Sequence, residues 1–471
     1  MANSADFNHA DVQGNILRGY NKPRVRYLLL EVKDRGAARR WLAACLAGRD
    51  GFPAITTETP ERWKTKPDTC FNIALTFEGL RALGAPSSSL DSFPTEFKEG
   101  MTARALKLGD AGPSAPENWA KPFDEPDRVH LIASIHADEE DQLDRVQAAA
   151  LRGGSGLDLR GSRDGFFFKK DYVHFGYRDN ISQPRFREIH SSSDLPDDQP
   201  FAPLGTVLLG YETNFEGLFF HVPEPAALGL NGSFNAFRVL AQDAAAFEDY
   251  LTQAATELSD HPDVNALLPP GTEASFGDGV SRHEALREVV AAAMCGRWRN
   301  GVPLALSPTT PNPKAPVDLT EFDYSSNSAC PYGAHIRRCN PRGGQIVQRV
   351  ANYSRRLIRR GMPYGDPFDP KKPDNQERGL LGNFIGANLG AQFEAMSCDW
   401  LNLGLQDPRI TGSNDPLVGY NETTTSWLDL PLEKGAPIRL RGFPRFVTTR
   451  GGAYTFLPSI PAIRYLSTLA N

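Results

Sequence analysis

Between Cys330 and Gly365 the chain reads CPYGAHIRRCNPRGGQIVQRVANYSRRLIRRGMPYG, a stretch with eight arginines (Arg337, Arg338, Arg342, Arg349, Arg355, Arg356, Arg359 and Arg360) and no Asp or Glu. The whole protein has a formal net charge of -6, so the sign of the charge reverses locally. Guanidinium groups gathered without counter-charge repel one another, and such a cluster is tolerable where it is solvated or where an anion docks. His335 sits in its middle. A neutral imidazole is the commonest protein metal ligand, and arginine clamps carboxylates. One histidine in this surround therefore suits haem iron, with its two propionates, better than a structural metal. A zinc site on Cys330, His335 and Cys339 would lack a fourth ligand at finger-type spacing. Haem-thiolate ligation through Cys330 is chemically possible.

The 471 residues, 40% of them hydrophobic, suffice for more than one domain. Net negative charge argues against a general binder of nucleic acid or membrane surfaces, and no apolar run reaches membrane-spanning length. The start, MANSADFNHADVQGN, has neither the basic residues nor the apolar core of a secretory signal, so a cytoplasmic location is expected. Six scattered cysteines without a Cys-X-X-Cys pair are expected to be free thiols.

Period-two and period-3.6 patterns alternate along the chain. Strands are expected at 24–32, 71–77, 128–136 and 235–240. Helices are expected at 37–47, 139–151, 243–258 (capped by Asp243), 282–294 and 329–340, the last carrying His335. A long helix is expected over 380–401, and a hairpin over 438–457 turning at Gly451 and Gly452. The polar run at 191–200 (SSSDLPDDQP) reads as an interdomain linker. The class is α+β in two halves, 1–190 and 201–471.

Seven blocks, in order, carry a resemblance: DVQGNILRGY (11–20), HFGYRDNISQP (174–184), NGSFNAFRVLAQD (231–243), CPYGAHIRRCNPR (330–342), RRGMPYG (359–365), ERGLL (377–381) and RGGAYTFLPS (450–459). Nearly end to end, the chain resembles the longer-chain branch of the dye-decolorizing peroxidases. That resemblance implies two ferredoxin-like domains with antiparallel sheets, and haem b bound mainly by the C-terminal one. It implies a peroxidase, monomeric or homodimeric, that reduces hydrogen peroxide and oxidises bulky aromatic donors by one-electron steps. A haem-processing protein that releases iron, or a non-catalytic haem carrier, could use the same fold and ligand.

By position in these blocks, His335 matches the haem ligand and Asp179 the acid on the opposite, distal side. One carboxylate there can take a proton from one oxygen of the peroxide and return it to the other. An aspartate at 179 would equally well cap a turn. Arg359 matches the distal arginine, which stabilises charge as the O–O bond breaks. In an extended segment Arg360 faces the other way. Arg342 is a further candidate for the cofactor, and Leu380 and Phe384 for its apolar lining. Where the family has Gly after the distal Asp, this chain has Asn180, which tolerates positive φ and whose amide could bond to Asp179 or to a water. A haem-ligating His usually donates its other N–H to a carboxylate. Glu394 is the candidate here, and Asn388 the alternative.

Overall fold

The computed structural model describes residues 7–190, 201–215, 218–346 and 353–469. The expected linker at 191–200 lies outside them. Four strands, β1 (Arg24–Val32), β2 (Thr69–Leu75), β3 (Leu131–Ala137) and β4 (Leu157–Phe166), form an antiparallel sheet in the order β4-β1-β3-β2. The strand β1 is central and apolar almost throughout, as a strand covered on both faces requires. Helix α1 (Arg35–Cys45) follows β1 and starts where Asp34 accepts from the Ala37 N–H at 2.7 Å. Helix α2 (Glu140–Ala150) follows β3, with Glu139 and Gln142 forming a capping box.

The second half repeats this plan. Strand β5 (Ser233–Gln242) is followed by helices α3 (Ala244–Ser259) and α4 (Arg282–Cys295), and by the short helix α5 (His335–Cys339). Strands β6 (Ile358–Arg359), β7 (Met362–Tyr364) and β8 (Gly379–Gly386) come next. A two-stranded ribbon, β9 (Trp427–Leu430) with β10 (Ile438–Arg441), precedes β11 (Val447–Leu457). With β6 and β7 both pairing β8, the order is β11-β5-β8-β6, so each half reads fourth, first, third, second, the ferredoxin-like arrangement. The expected class therefore holds.

The halves meet at both edges. Strand β11 pairs β2 at Phe456 and Leu75. On the other side β4 closes against β7, where a Cβ on Gly165 would lie 2.6 Å from Met362 Cγ. The sheets thus curl around a shared interior that contains Tyr27, Ile73, Phe237 and Ile385. A second core lies outside the C-terminal sheet, where Phe247, Leu251, Leu286 and Val290 of α3 and α4 pack with Phe175 and Tyr177. No described helix is long and apolar enough to cross a membrane.

Two expected elements differ. The helix over 380–401 is instead β8 followed by π-helical turns at Leu389–Glu394 and Met396–Asn402. Apolar residues at 380, 381, 384 and 385 fit either period, but Gly382 and Gly386 disfavour a helix by about 1 kcal/mol each. The hairpin around Gly451 and Gly452 is one continuous strand with a bulge beside β5. Gly451 is there for a close approach, since a Cβ would sit 2.2 Å from the Phe123 ring.

Candidate active site

His335 is the first residue of α5, which docks against α4 and the π-helical turn at Met396–Asn402. Its Nδ1 lies 2.9 Å from Oδ2 of Asp415, whose side chain is fully buried. The other oxygen, Oδ1, accepts from the N–H groups of Leu417 and Val418, each at 2.9 Å. Burial pushes the Asp415 carboxyl up, but His335, Arg338 and the Val418 N–H outweigh it and hold the group below the usual carboxylate range. Burial likewise lowers the His335 pKa, and Cys339 with Asp415 raises it well above the ordinary value. With Nδ1 anchored, Nε2 is the atom left to bind a metal; it meets the Cys339 thiol at 3.9 Å, and 29% of the side chain is exposed.

The expected partner of His335 is therefore corrected. Glu394 is committed elsewhere: it accepts from Arg104 at 2.9 and 2.6 Å and from the Tyr454 hydroxyl at 3.0 Å. Asn388 caps the π-helical turn through the Ala391 N–H. Sequence reasoning missed Asp415 because TGSNDPLVG reads as a polar turn, with no local sign that its carboxylate is buried.

Arg342, expected at the cofactor, donates to the carbonyls of Thr320 at 2.7 Å and Phe322 at 3.5 Å and lies over the Phe322 ring. Two other members of the arginine cluster are compensated by backbone carbonyls. Arg338, 1% exposed, donates to the carbonyls of Gly333, Trp400 and Ser413. Arg360 donates to those of Asn15, Ile16 and Leu17. Burial lowers both guanidinium pKa values to about 10.

Arg359 differs. It pairs with Phe384 across β6 and β8, so the two share a face with Leu380, while Arg360 points into the interior, as the alternation predicted. Its Nη2 donates to the Ser182 carbonyl at 2.6 Å. Gln183 binds the Arg359 backbone twice, accepting from its N–H at 3.1 Å and donating to its carbonyl at 2.9 Å. The strand is thus sewn to the segment that carries Asp179, three residues before Ser182. That segment is held from behind, where the Tyr177 hydroxyl donates to the Ala291 carbonyl of α4 at 2.7 Å and the Arg178 N–H to the Arg299 carbonyl at 2.8 Å.

The Asp179 N–H donates to the Asp171 carbonyl at 2.7 Å, and its exposed carboxylate has no bond among the described residues. Asn180 takes φ 57°, the positive value its position demands. Its amide donates to Asp171 Oδ1 at 3.3 Å, so of the partners considered for it Asp179 is not the one engaged. Leu380 and Phe384 are half-buried, with Phe384 against Phe393 at 5.3 Å.

The donor set fits haem. Among the described residues no group of three or more His, Cys, Asp or Glu could hold a metal ion, which leaves the zinc reading without ligands. Cys330 is fully enclosed, with its sulfur 4.0 Å from the Tyr324 hydroxyl, and does not face the side of α5 where His335 is open. One imidazole anchored by a carboxylate can hold iron when a macrocycle supplies the other ligands.

A family model described as "DyP dimeric alpha+beta barrel domain" matches residues 11–153. "Dye-decolorizing peroxidase msp1" of Mycetinis scorodonius is 30% identical over 499 residues, covering 98% of this chain and 88% of that one. "Multifunctional dye peroxidase DyP2" of Amycolatopsis sp. is 28% identical, covering 97% and 95%. A solved dye-decolorizing peroxidase in complex with 2,6-dimethoxyphenol superposes with a TM-score of 0.78 at 25% identity, over 98% of this chain and 100% of that one. A DyP-type peroxidase from Auricularia auricula-judae, at 24% identity and a TM-score of 0.79, shares the fold.

Proposed function

This chain belongs to the dye-decolorizing peroxidases and is a haem-dependent peroxidase, and from that premise we propose how its own residues divide the work. The group is haem b, held by coordination through His335 Nε2; the chain has no Cys-X-X-Cys pair of the kind that attaches haem covalently. When bound, the haem supplies the iron on which peroxide is cleaved and the oxidising equivalents are stored. Asp415 accepts the Nδ1–H of His335, fixes the ring and makes Nε2 a stronger donor. Asp179 would take a proton from one oxygen of hydrogen peroxide and return it to the other, which would leave as water. Arg359 supplies the fixed positive charge beside the breaking O–O bond. Leu380 and Phe384, on the Arg359 face of the sheet, line the haem.

The observation that carries this reading is the stitching of Arg359 to Ser182 and Gln183, which sets a free carboxylate and a guanidinium on neighbouring backbone. A haem carrier or an iron-releasing protein would need His335 but not this pair. The donors of this reading are aromatic, and a similar peroxidase has been solved in complex with the aromatic 2,6-dimethoxyphenol.

The test is stopped-flow mixing of holoenzyme with hydrogen peroxide. Asp179→Asn is expected to slow activation by about a hundred- to ten-thousandfold, and Arg359→Leu by about a hundred- to a thousandfold, both with the Soret band retained. His335→Ala is expected to lose that band. Wild-type rates in both distal variants would defeat the assignment.

A further inference from the structure

We infer that the groove formed by Tyr332, Arg337, Gln406 and Ile410 is a binding site for a single-ring phenol that carries a carboxylate. It rests on the peroxidase reading for the ligand's role as donor, not for its binding. The cavity encloses about 240 Å3. Sites for drug-sized ligands run to about 300–1,000 Å3, so this one takes one substituted ring rather than a polycyclic dye.

Gln406 supplies the first half of the recognition. It is 4% exposed and lines the cavity, yet among the described residues neither its amide oxygen nor its amide nitrogen has a partner. A buried amide left this way is costly, and native proteins rarely leave both ends unmet. The group that satisfies both must accept from Nε2 and donate to Oε1. A phenolic hydroxyl does so through one oxygen.

Arg337 supplies the second half. Its Nη1 donates to the carbonyls of Asn327 at 3.1 Å and Cys330 at 2.6 Å, while Nε and Nη2 have no bond among the described residues. The other guanidinium of the groove, Arg409, is already neutralised by Asp407 through contacts of 2.8 and 2.6 Å. The cation left over is Arg337, and its planar fork matches a carboxylate. Both arginines lie on the Tyr332 ring, at 4.0 and 3.4 Å, which holds that wall rigid. Ile410, 4% exposed, supplies apolar surface for the ligand ring.

Arg337 is two residues beyond His335 on α5, so a bound ligand stands beside the helix that holds the iron ligand. Two such phenols each give up one electron and the phenolic proton per hydrogen peroxide, leaving two phenoxyl radicals and two waters.

The test is calorimetric titration of the holoenzyme with 4-hydroxybenzoate, benzoate and phenol. Saturable binding of 4-hydroxybenzoate is expected, with benzoate and phenol each at least tenfold weaker. Gln406→Leu removes both unmet atoms with little change of volume. Its thermal midpoint is expected to hold or rise, its affinity for 4-hydroxybenzoate to fall tenfold or more, and its affinity for benzoate to stay the same. Three results would overturn the site: no saturable binding, which means water alone fills the groove; benzoate binding as tightly as 4-hydroxybenzoate; or unchanged affinity in Gln406→Leu. Peroxide activation, measured in parallel without any donor, reports on the peroxidase reading separately.

Discussion

His335 and Asp415 are eighty positions apart and act as one unit, because a buried carboxylate with two backbone N–H donors and an imidazole is satisfied on every side. Asp415→Asn keeps an oxygen for the Nδ1–H but removes the charge. Haem should still bind, with an affinity about 10- to 100-fold lower, and the iron reduction potential should rise. Haem titration and potentiometry check this; Glu394→Gln, whose carboxylate faces Arg104 and Tyr454, should leave the potential unmoved. A second prediction concerns Asn180. Its amide is bonded to Asp171 rather than to Asp179, so Asn180→Gly should give a pH profile of peroxide activation that superimposes on wild type. A displaced acid limb would show that the amide acts on the distal carboxylate after all. Some of this was legible in sequence. That Arg359 and Arg360 face opposite ways followed from strand alternation. The arginine cluster was misread in part, because sequence reports carboxylates but not carbonyls, and Arg338 and Arg360 are satisfied by carbonyls up to 345 positions away.

At the scale of elements, local pattern sufficed where one period dominated. Helices α1 to α4 and strands β1, β3 and β5 lie where their patterns and caps put them, within a few residues. It failed at β8, where the apolar residues Leu380, Leu381, Phe384 and Ile385 serve a helix or a strand equally. The neighbours decide: β5 pairs along one edge of β8 and β6 and β7 along the other, and at Gly379 the strands approach too closely for any side chain. A Cβ at Gly379 would lie 1.9 Å from the Leu240 carbonyl oxygen, a backbone atom that cannot swing aside. Gly379→Ala should therefore part β5 from β8 locally and cost about 1–3 kcal/mol or more. Chemical denaturation measures it. Gly100→Ala is a useful contrast, since nothing lies within 4 Å of its Cβ position and its φ of 76° is the sole source of strain. A loss at Gly379 no larger than at Gly100 would mean that the strands can move apart freely.

At the scale of the molecule, the two halves share one interior, and its polar contents make stability depend on pH. His136 on β3 lines a small cavity in that interior with Tyr20 and Arg360 and is partly buried. Burial, with the Arg360 charge acting in the same direction, pushes its pKa down from 6.5 to about 3. Above about pH 6.5 the imidazole is neutral folded or unfolded and contributes nothing to the pH dependence. Below that, the unfolded chain binds a proton that the folded chain refuses, so stability falls as pH falls, until about pH 3, where the folded form takes the proton too. Across that window this one group makes the folded chain progressively less stable as pH falls. The charge would appear where β3 of the first sheet and β8 and β5 of the second face each other, so acid should loosen the halves together rather than unfold one alone. His136→Phe removes the titrating group and can stack against Tyr20, now 5.1 Å from the imidazole. Thermal midpoints from pH 7 to pH 4 should fall more shallowly in that variant than in wild type. Parallel curves would place the acid sensitivity elsewhere, in ion pairs such as Arg104 with Glu394, whose carboxyl is held low despite its burial by Arg104, Tyr454 and Lys107.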